Sequence, residues 1–219
     1  MSKRESKAKR ILVVPDLHYA PRDDKEGGHD ERAVSVALQA IEIIKPTTVV
    51  MLGDVGEWSS VNHHITSKVG KDRLATVLER LERDGRSVNA GLDKWGDAIQ
   101  GVGCDDVHLL LGNHEQWVAQ LCEEFPVLHL THHPINLLRL VERGWRSYDY
   151  GDYLKLGKLA FTHGGHFGGQ HHAYRTLVGT GKSVIYGHFH TIQSTGTPRL
   201  MVIGGRGAWG ASPSYVSPS

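Results

Sequence analysis

The chain has only two cysteines, Cys104 and Cys122, in 219 residues. They form no Cys-x-x-Cys pair and are too few for a disulfide framework, so neither a stapled secreted fold nor a thiolate metal site is expected. Long apolar runs are missing as well. No stretch approaches the ~20 residues that a membrane span requires. The basic opening segment MSKRESKAKR leads into only ILVV before Pro15 and Asp16, unlike a secretory signal, and a protein of a reducing cytoplasm is the expectation. Charge of one sign is not in excess either. The formal net charge is +1, so the molecule as a whole has no strong field to draw in nucleic acid. Residues 1–10 are the local exception, with Lys3, Arg4, Lys7, Lys9 and Arg10 facing only Glu5. They read as a flexible basic tail, or as a weak electrostatic hold on phosphate backbones.

What is present is enough apolar content for a core, 39% against 22% charged residues, and an unusual number of histidines, fifteen. The length fits one large domain carrying an insertion. The histidines are dispersed rather than clustered as a tract. Histidine is the commonest metal ligand and the side chain that titrates near neutrality, so its position relative to the strands matters most.

ILVV (11–14) reads as a buried strand. Asp30 is placed to cap a helix with Val34, Ala37, Leu38, Ile41 and Ile44 at helical spacing, stopped by Lys45-Pro46. TTVVML (47–52) is a second strand, which completes a βαβ unit with parallel strands. Residues 57–105 read as a helical insertion or cap. Leu74, Val77, Leu78 and Leu81 form one stripe, Val88, Leu92, Trp95 and Ile99 another, and Asp84-Gly85 between them suggests an αα-hairpin. VHLLL (107–111) is the third strand and Glu115 to Glu124 the helix after it. Pro134 opens a further helix with Ile135, Leu138 and Val141 on its face and Gly144 as C-cap. YLKL and LAFTH flank a Gly157-Lys158 hairpin turn, a short helix covers 171–178, and SVIYGHFH, TIQST and RLMVIGG read as strands. The whole is an α/β sandwich of two packed sheets over residues 11–210, with a flexible tail at 211–219.

Nearly every apolar strand ends in a residue able to hold a metal. ILVV leads to Asp16 and His18, TTVVML to Asp54, VHLLL to Asn113 and His114, LAFT to His163, and SVIY to His188 and His190. Singly these are weak signals. Asp16 is equally a loop cap, Asn113 a turn residue, and His188 with His190 a surface pair on one strand face. Together they place ionisable groups where loops converge at the carboxyl ends of strands, and desolvating so many in one place is costly unless a cation compensates them.

The ordered set Asp16-x-His18, Gly53-Asp54, Gly112-Asn113-His114-Glu115, His163-Gly164 and Gly187-His188-x-His190 resembles the five motifs of the calcineurin-like metallophosphoesterase superfamily, over residues 11 to about 203. Similar small proteins are encoded by bacteriophages. The resemblance implies a two-sheet α/β/β/α sandwich with a binuclear metal centre. It implies that Asp16, His18, Asp54 and His190 hold one divalent ion, that Asp54 bridges, and that Asn113, His163 and His188 complete the second site. His114 matches the non-ligand catalytic histidine. A metal-bridging hydroxide would attack the phosphorus in line. The donor set, free of thiolate, suits Mn²⁺, with Fe, Zn or Ni as other occupants. Glu115 either orients the His114 ring or simply begins the following helix.

The stretch Gly53-Asp54-Val55-Gly56-Glu57-Trp58 lacks the Arg with which phosphoprotein phosphatases of this superfamily grip a monoester. The resemblance therefore implies a phosphodiesterase acting on DNA, RNA or a nucleotide diester, with a nuclease among its candidates. A small-molecule phosphomonoesterase or a catalytically silent metal-binding scaffold are the alternatives. Glu57, Trp58 and His166 are candidate substrate contacts, and Asn62, His63, His64, His171 and His172 either line the same pocket or face solvent. His129, His132 and His133 read as surface or cap residues, and GGRGAWG (204–210) as a flexible connection.

Overall fold

The computed structural model describes residues 9–21, 29–61 and 71–205. The expected contributions of Asn62, His63, His64, most of the basic tail, residues 206–210 of the Gly-rich connection and the 211–219 tail lie outside them. Four short strands, β1 (Ile11–Val14), β2 (Thr48–Met51), β3 (Val107–Leu110) and β4 (Arg146–Tyr148), form an all-parallel sheet in that order. β2 and β3 are buried along their whole length, as strands covered on both faces must be. The second sheet has the order β5 (Leu154–Leu156), β6 (Leu159–Thr162), β7 (Ser183–Tyr186), β9 (Met201–Gly204), β8 (Gln193–Gly196). Its edge pairs β5–β6 and β8–β9 are antiparallel, and the inner pairs are parallel.

Val50, Leu52, Leu110, Leu154 and Phe161 pack between the sheets. The other face of the first sheet, with Val49, Met51, Val107 and Leu109, is covered by α1 (Glu31–Ile44), α2 (Lys71–Gly101) and α3 (Asn113–Glu124). The other face of the second sheet packs Ala160, Val184, Tyr186 and Val202 under Ala173 and Leu177 of α6 (His172–Thr180). The layers are therefore α/β/β/α, as expected. Single turns α4 (His129–His132) and α5 (Pro134–Leu137) lie beyond α3. Asp30 caps α1 by accepting from Arg32 N and Ala33 N, and Lys45 ends it in the left-handed region at φ 47°. Arg10 is no free tail residue. Its Nε donates to the carbonyls of Ile44 and Lys45 at 2.9 Å, closing the C-terminal end of α1.

Three expectations are corrected. The αα-hairpin is a single helix, α2, running unbroken through Asp84-Gly85. The two apolar stripes are in phase, because Leu81 and Val88 are seven residues apart, so Asp84 and Gly85 fall on the buried face. Buried Asp84 accepts from Ser60 Oγ at 2.6 Å, and a Cβ on Gly85 would stand 3.0 Å from Leu137 Cδ1. The glycine lets α2 approach α5 and does not end the helix. The helix opened by Pro134 lasts one turn, leaving Val141 exposed, and Arg146–Tyr148, with no apolar run to reveal it, becomes β4. Finally, β7 stops at Tyr186. Gly187 to His190 form a loop whose His188 and His190 have φ 70° and 52°, so strand alternation does not align them.

Candidate metal centre

The loops after β1, β2, β3, β6 and β7 converge on one spot. The first two run side by side, with His18 N donating to Asp54 O at 2.9 Å and Tyr19 N to Val55 O at 2.8 Å. Close approach requires glycine here. A Cβ on Gly53 would lie 2.5 Å from Gly112 N, and one on Gly112 would collide with Asp54. Asp16, His18, Asp54, His188 and His190 all hold positive φ, between 41° and 70°. For side chains other than glycine this backbone costs energy and gathers where function holds it in place.

Two clusters result. Asp16, His18 and His190 each present one donor atom within 4.8 Å of the others, and so do Asp54, His163 and His188. Asn113 Oδ1 joins the second cluster, 2.9 Å from His163 Nε2 and 2.8 Å from His188 Nδ1. Asp54 Oδ2, 3.3 Å from His163 Nε2 in its own cluster, reaches within 3.9 Å of His18 Nε2 in the other and lies 3.9 Å from His114 Nε2. All eight expected residues, His114 included, are thus brought together. Backbone N–H groups hold the two inner carboxylates in place: His114 N donates to Asp54 Oδ1 at 3.0 Å, and His188 N to Asp16 Oδ1 at 2.8 Å.

Three rings have their inward nitrogen fixed from behind. His163 Nδ1 donates to Leu52 O at 2.7 Å and His114 Nδ1 to Glu57 O at 2.7 Å, since a carbonyl can only accept. His18 Nδ1 donates to Glu57 Oε2 at 2.7 Å. Each Nε2 is left facing the centre, the outer arrangement by which metal-binding histidines are oriented.

The electrostatics are those of packed opposite charges. Burial alone would lower the His163 pKa, but the Asp54 carboxylate outweighs it and holds the group up at about 9. Burial would raise Asp54, yet His163 and His114 hold it well below the usual carboxylate range. Burial pushes Asp16 up to about 7, and burial pushes His188 and His190 down to about 4. Asp16 Oδ2 is buried without a hydrogen-bond partner among the described residues, an atom aimed inward with nothing to receive it. Oxygen and imidazole donors in two groups sharing one carboxylate, together with that orphaned oxygen, fit divalent cations.

Glu115 does more than either alternative read from the sequence. It is fully buried in the first turn of α3. Its Oε2 accepts from Asp54 N at 2.8 Å and Gly112 N at 2.9 Å, and its Oε1 from Trp58 Nε1 at 2.9 Å and Gly56 N at 3.2 Å. One carboxylate therefore ties the β2 loop to the β3 loop. Trp58, expected at the substrate, is 1% exposed and serves this anchor instead, because its indole N–H is consumed by Glu115. Glu57 stands behind the His18 ring as its partner and forms a third donor cluster with His18 and His114. His166 is exposed and one ring removed: Tyr150 lies 6.0 Å from His163 and 6.1 Å from His166. Tyr150 was missed because an aromatic beside Gly151 carries no distinguishing spacing. His172 is buried against Tyr186 and Thr191 rather than lining a pocket, whereas His171 is exposed. Among the described residues no helix is long and apolar enough to cross a membrane.

No family model matches this chain, and no curated protein does. Solved structures similar to it include an archaeal phosphodiesterase, 15% identical over 90% of this chain and 84% of that one, with a TM-score of 0.42. The phosphoesterase YfcE from E. coli is 17% identical over 95% of this chain and 84% of that one, with a TM-score of 0.41. A Vps29 single mutant from Entamoeba histolytica is 14% identical over 95% and 80%, with a TM-score of 0.39. At such identities and TM-scores the chemistry has to be read from the side chains themselves.

Proposed function

We propose that the protein hydrolyses phosphate esters at a binuclear metal centre, with phosphodiesters, nucleic acid or nucleotide, as the preferred class. The observation that carries this reading is the Asp54 carboxylate, which belongs to one three-residue donor cluster and reaches within 3.9 Å of His18 Nε2 in the other, with the rings of His18, His114 and His163 locked from behind. Asp16, His18, Asp54 and His190 would hold one cation and Asp54, Asn113, His163 and His188 the other, with Mn²⁺ the favoured occupant and Fe, Zn or Ni the others. Such a pair supplies Lewis acidity toward the phosphoryl oxygens and lowers the pKa of water at the site.

The chain's own residues supply the rest. His114 donates Nδ1–H to Glu57 O, so a second proton can sit only on Nε2, facing the centre. From there it is available to a phosphoryl or leaving oxygen. Glu57 keeps His18 in register, and Glu115 holds the backbone on which Asp54 and Asn113 are mounted. Among the described residues no lysine or arginine is bonded to any of these groups. A monoester brings two negative charges and a diester one, and the stretch Gly53-Asp54-Val55-Gly56-Glu57-Trp58 carries no Arg to grip the second charge, which favours the diester.

Purified protein with Mn²⁺ should turn over bis-p-nitrophenyl phosphate, and labelled DNA if it is a nuclease, faster than p-nitrophenyl phosphate. Turnover of the monoester alone would remove the diester preference, and no turnover of any of the three would favour a silent scaffold.

A further inference from the structure

The second sheet carries a surface that the metal centre does not use. On its outer face, beside the C-terminal end of α6, a cavity of about 490 Å³ opens between β5, β6 and the turn before β9. Lys155, Lys158, Lys182 and Arg199 line it, together with Tyr153. None of the four cations is paired with a carboxylate among the described residues. By contrast, Arg139 and Arg143 are both bonded to Asp93, and Arg146 is bonded to Asp106. Four unpaired cations around one cavity, in a protein of net charge +1, form a local electrostatic feature rather than a general excess.

This cavity is joined to the metal centre by rings. From His163 the path runs to Tyr150 at 6.0 Å, then to His166 at 6.1 Å and to Tyr153 at 6.4 Å. Lys182 Nζ sits 5.3 Å from the Tyr153 ring centre, where the cavity begins. The planes of Tyr150 and Tyr153 are inclined to His166 by only 32° and 26°, so the rings present similarly directed faces. His166 and Tyr153 are exposed and Tyr150 half-buried. Two carboxylates stand on this turn, Asp149 and Asp152; the backbone N–H of Asp149 donates to Asp152 at 3.2 Å, and among the described residues neither carboxylate is paired with the four cations.

We propose that this aromatic path and the basic cavity at its end form a track for single-stranded nucleic acid leading to the metal centre. The proposal rests on the phosphodiesterase reading for the direction of the track, but its binding step does not. Ring faces accept any base by stacking, and unpaired Lys and Arg side chains neutralise successive phosphates without reading sequence. A duplex keeps its bases stacked internally and cannot use the rings. The ligand is therefore a flexible, singly stranded polyanion, bound with little sequence preference and strong salt dependence.

The test is fluorescence anisotropy of a labelled oligodeoxythymidine, on the full chain in EDTA, so that hydrolysis plays no part. Tyr153→Ala should weaken binding ~10-fold and Tyr153→Phe should restore it, because the ring face rather than the hydroxyl is used. The double variant Lys155→Gln, Lys182→Gln should weaken binding and make the slope of log affinity against log salt shallower by about 1.4, two phosphate contacts' worth on a single strand. Circular dichroism of each variant checks that it is folded. Absence of wild-type binding, or unchanged affinity and salt slope in folded variants, would overturn the track. If binding follows the prediction but no phosphodiester is cleaved when Mn²⁺ is restored, the catalytic reading fails and the binding surface stands.

Discussion

The buried carboxylate of Glu115 accepts the backbone N–H of Asp54 at 2.8 Å, and Asp54 is the residue of one donor cluster whose side chain reaches within 3.9 Å of His18 Nε2 in the other. The same carboxylate takes three further N–H groups, so one side chain sets the backbone position of the central donor. Glu115→Gln turns an N–H toward two of those four donors whichever way the amide lies. We expect a loss of roughly 3 kcal/mol or more in urea unfolding, since each buried donor left unsatisfied costs about 1–3 kcal/mol. Trp58→Phe removes one donor only and should cost about 1 kcal/mol of hydrogen bonding. A Glu115→Gln protein as stable as wild type would show that the carboxylate is not an anchor.

Gly187 tests how closely the β7 loop is fitted around Asp16. A Cβ there would run into the Asp16 carboxylate. Gly187→Ala should therefore lower metal affinity by more than it lowers stability. The comparison is Gly103→Ala, at φ +70° with open space around the added methyl, where only a stability loss of about 1 kcal/mol is expected. Equal metal affinity in Gly187→Ala and wild type, read by titration with Mn²⁺, would contradict the fit.

Proton release should accompany metal uptake. In the metal-free protein His163 holds its proton up to about 9, because the Asp54 carboxylate outweighs burial. A cation on Nε2 displaces that proton, so affinity rises with pH until pH 9 and falls as acid is added, about tenfold per unit from this group. Asp16, pushed up to about 7 by burial, adds to the release near and below neutrality. His188 and His190, pushed down to about 4, stay neutral and do not compete above that pH. Calorimetry at about pH 7.5 in buffers of different ionisation enthalpy should show close to one proton released per protein from His163. No release, or an affinity flat from pH 7 to 9, would count against His163 as a ligand.

The layer order and the residues of the centre were legible for one reason: short apolar strands end abruptly in Asp, Asn or His, and that contrast survives in one dimension. The role of Glu115 was not legible, because Asp54, Gly56 and Trp58 are 61, 59 and 57 residues away in sequence. Its position at the start of α3 is equally what a helix needs. Asp84-Gly85 misled in the opposite direction. The pair has the composition of a turn, but its meaning depends on Ser60 and Leu137, which only the fold brings alongside. His188 and His190 reach the centre in different clusters, placed there by left-handed backbone in a loop and not by a shared strand face.

The central claim is that Asp54 holds metal while His114 acts on substrate. The direct measurement is metal content by mass spectrometry together with bis-p-nitrophenyl phosphate turnover, on Asp54→Ala and His114→Ala prepared in parallel with Mn²⁺. Asp54→Ala should lose most bound metal and all turnover. His114→Ala should keep wild-type metal and lose turnover by ~10²-fold or more, the usual range for a general acid. Equal metal loss in both variants, or full turnover in His114→Ala, would contradict the account.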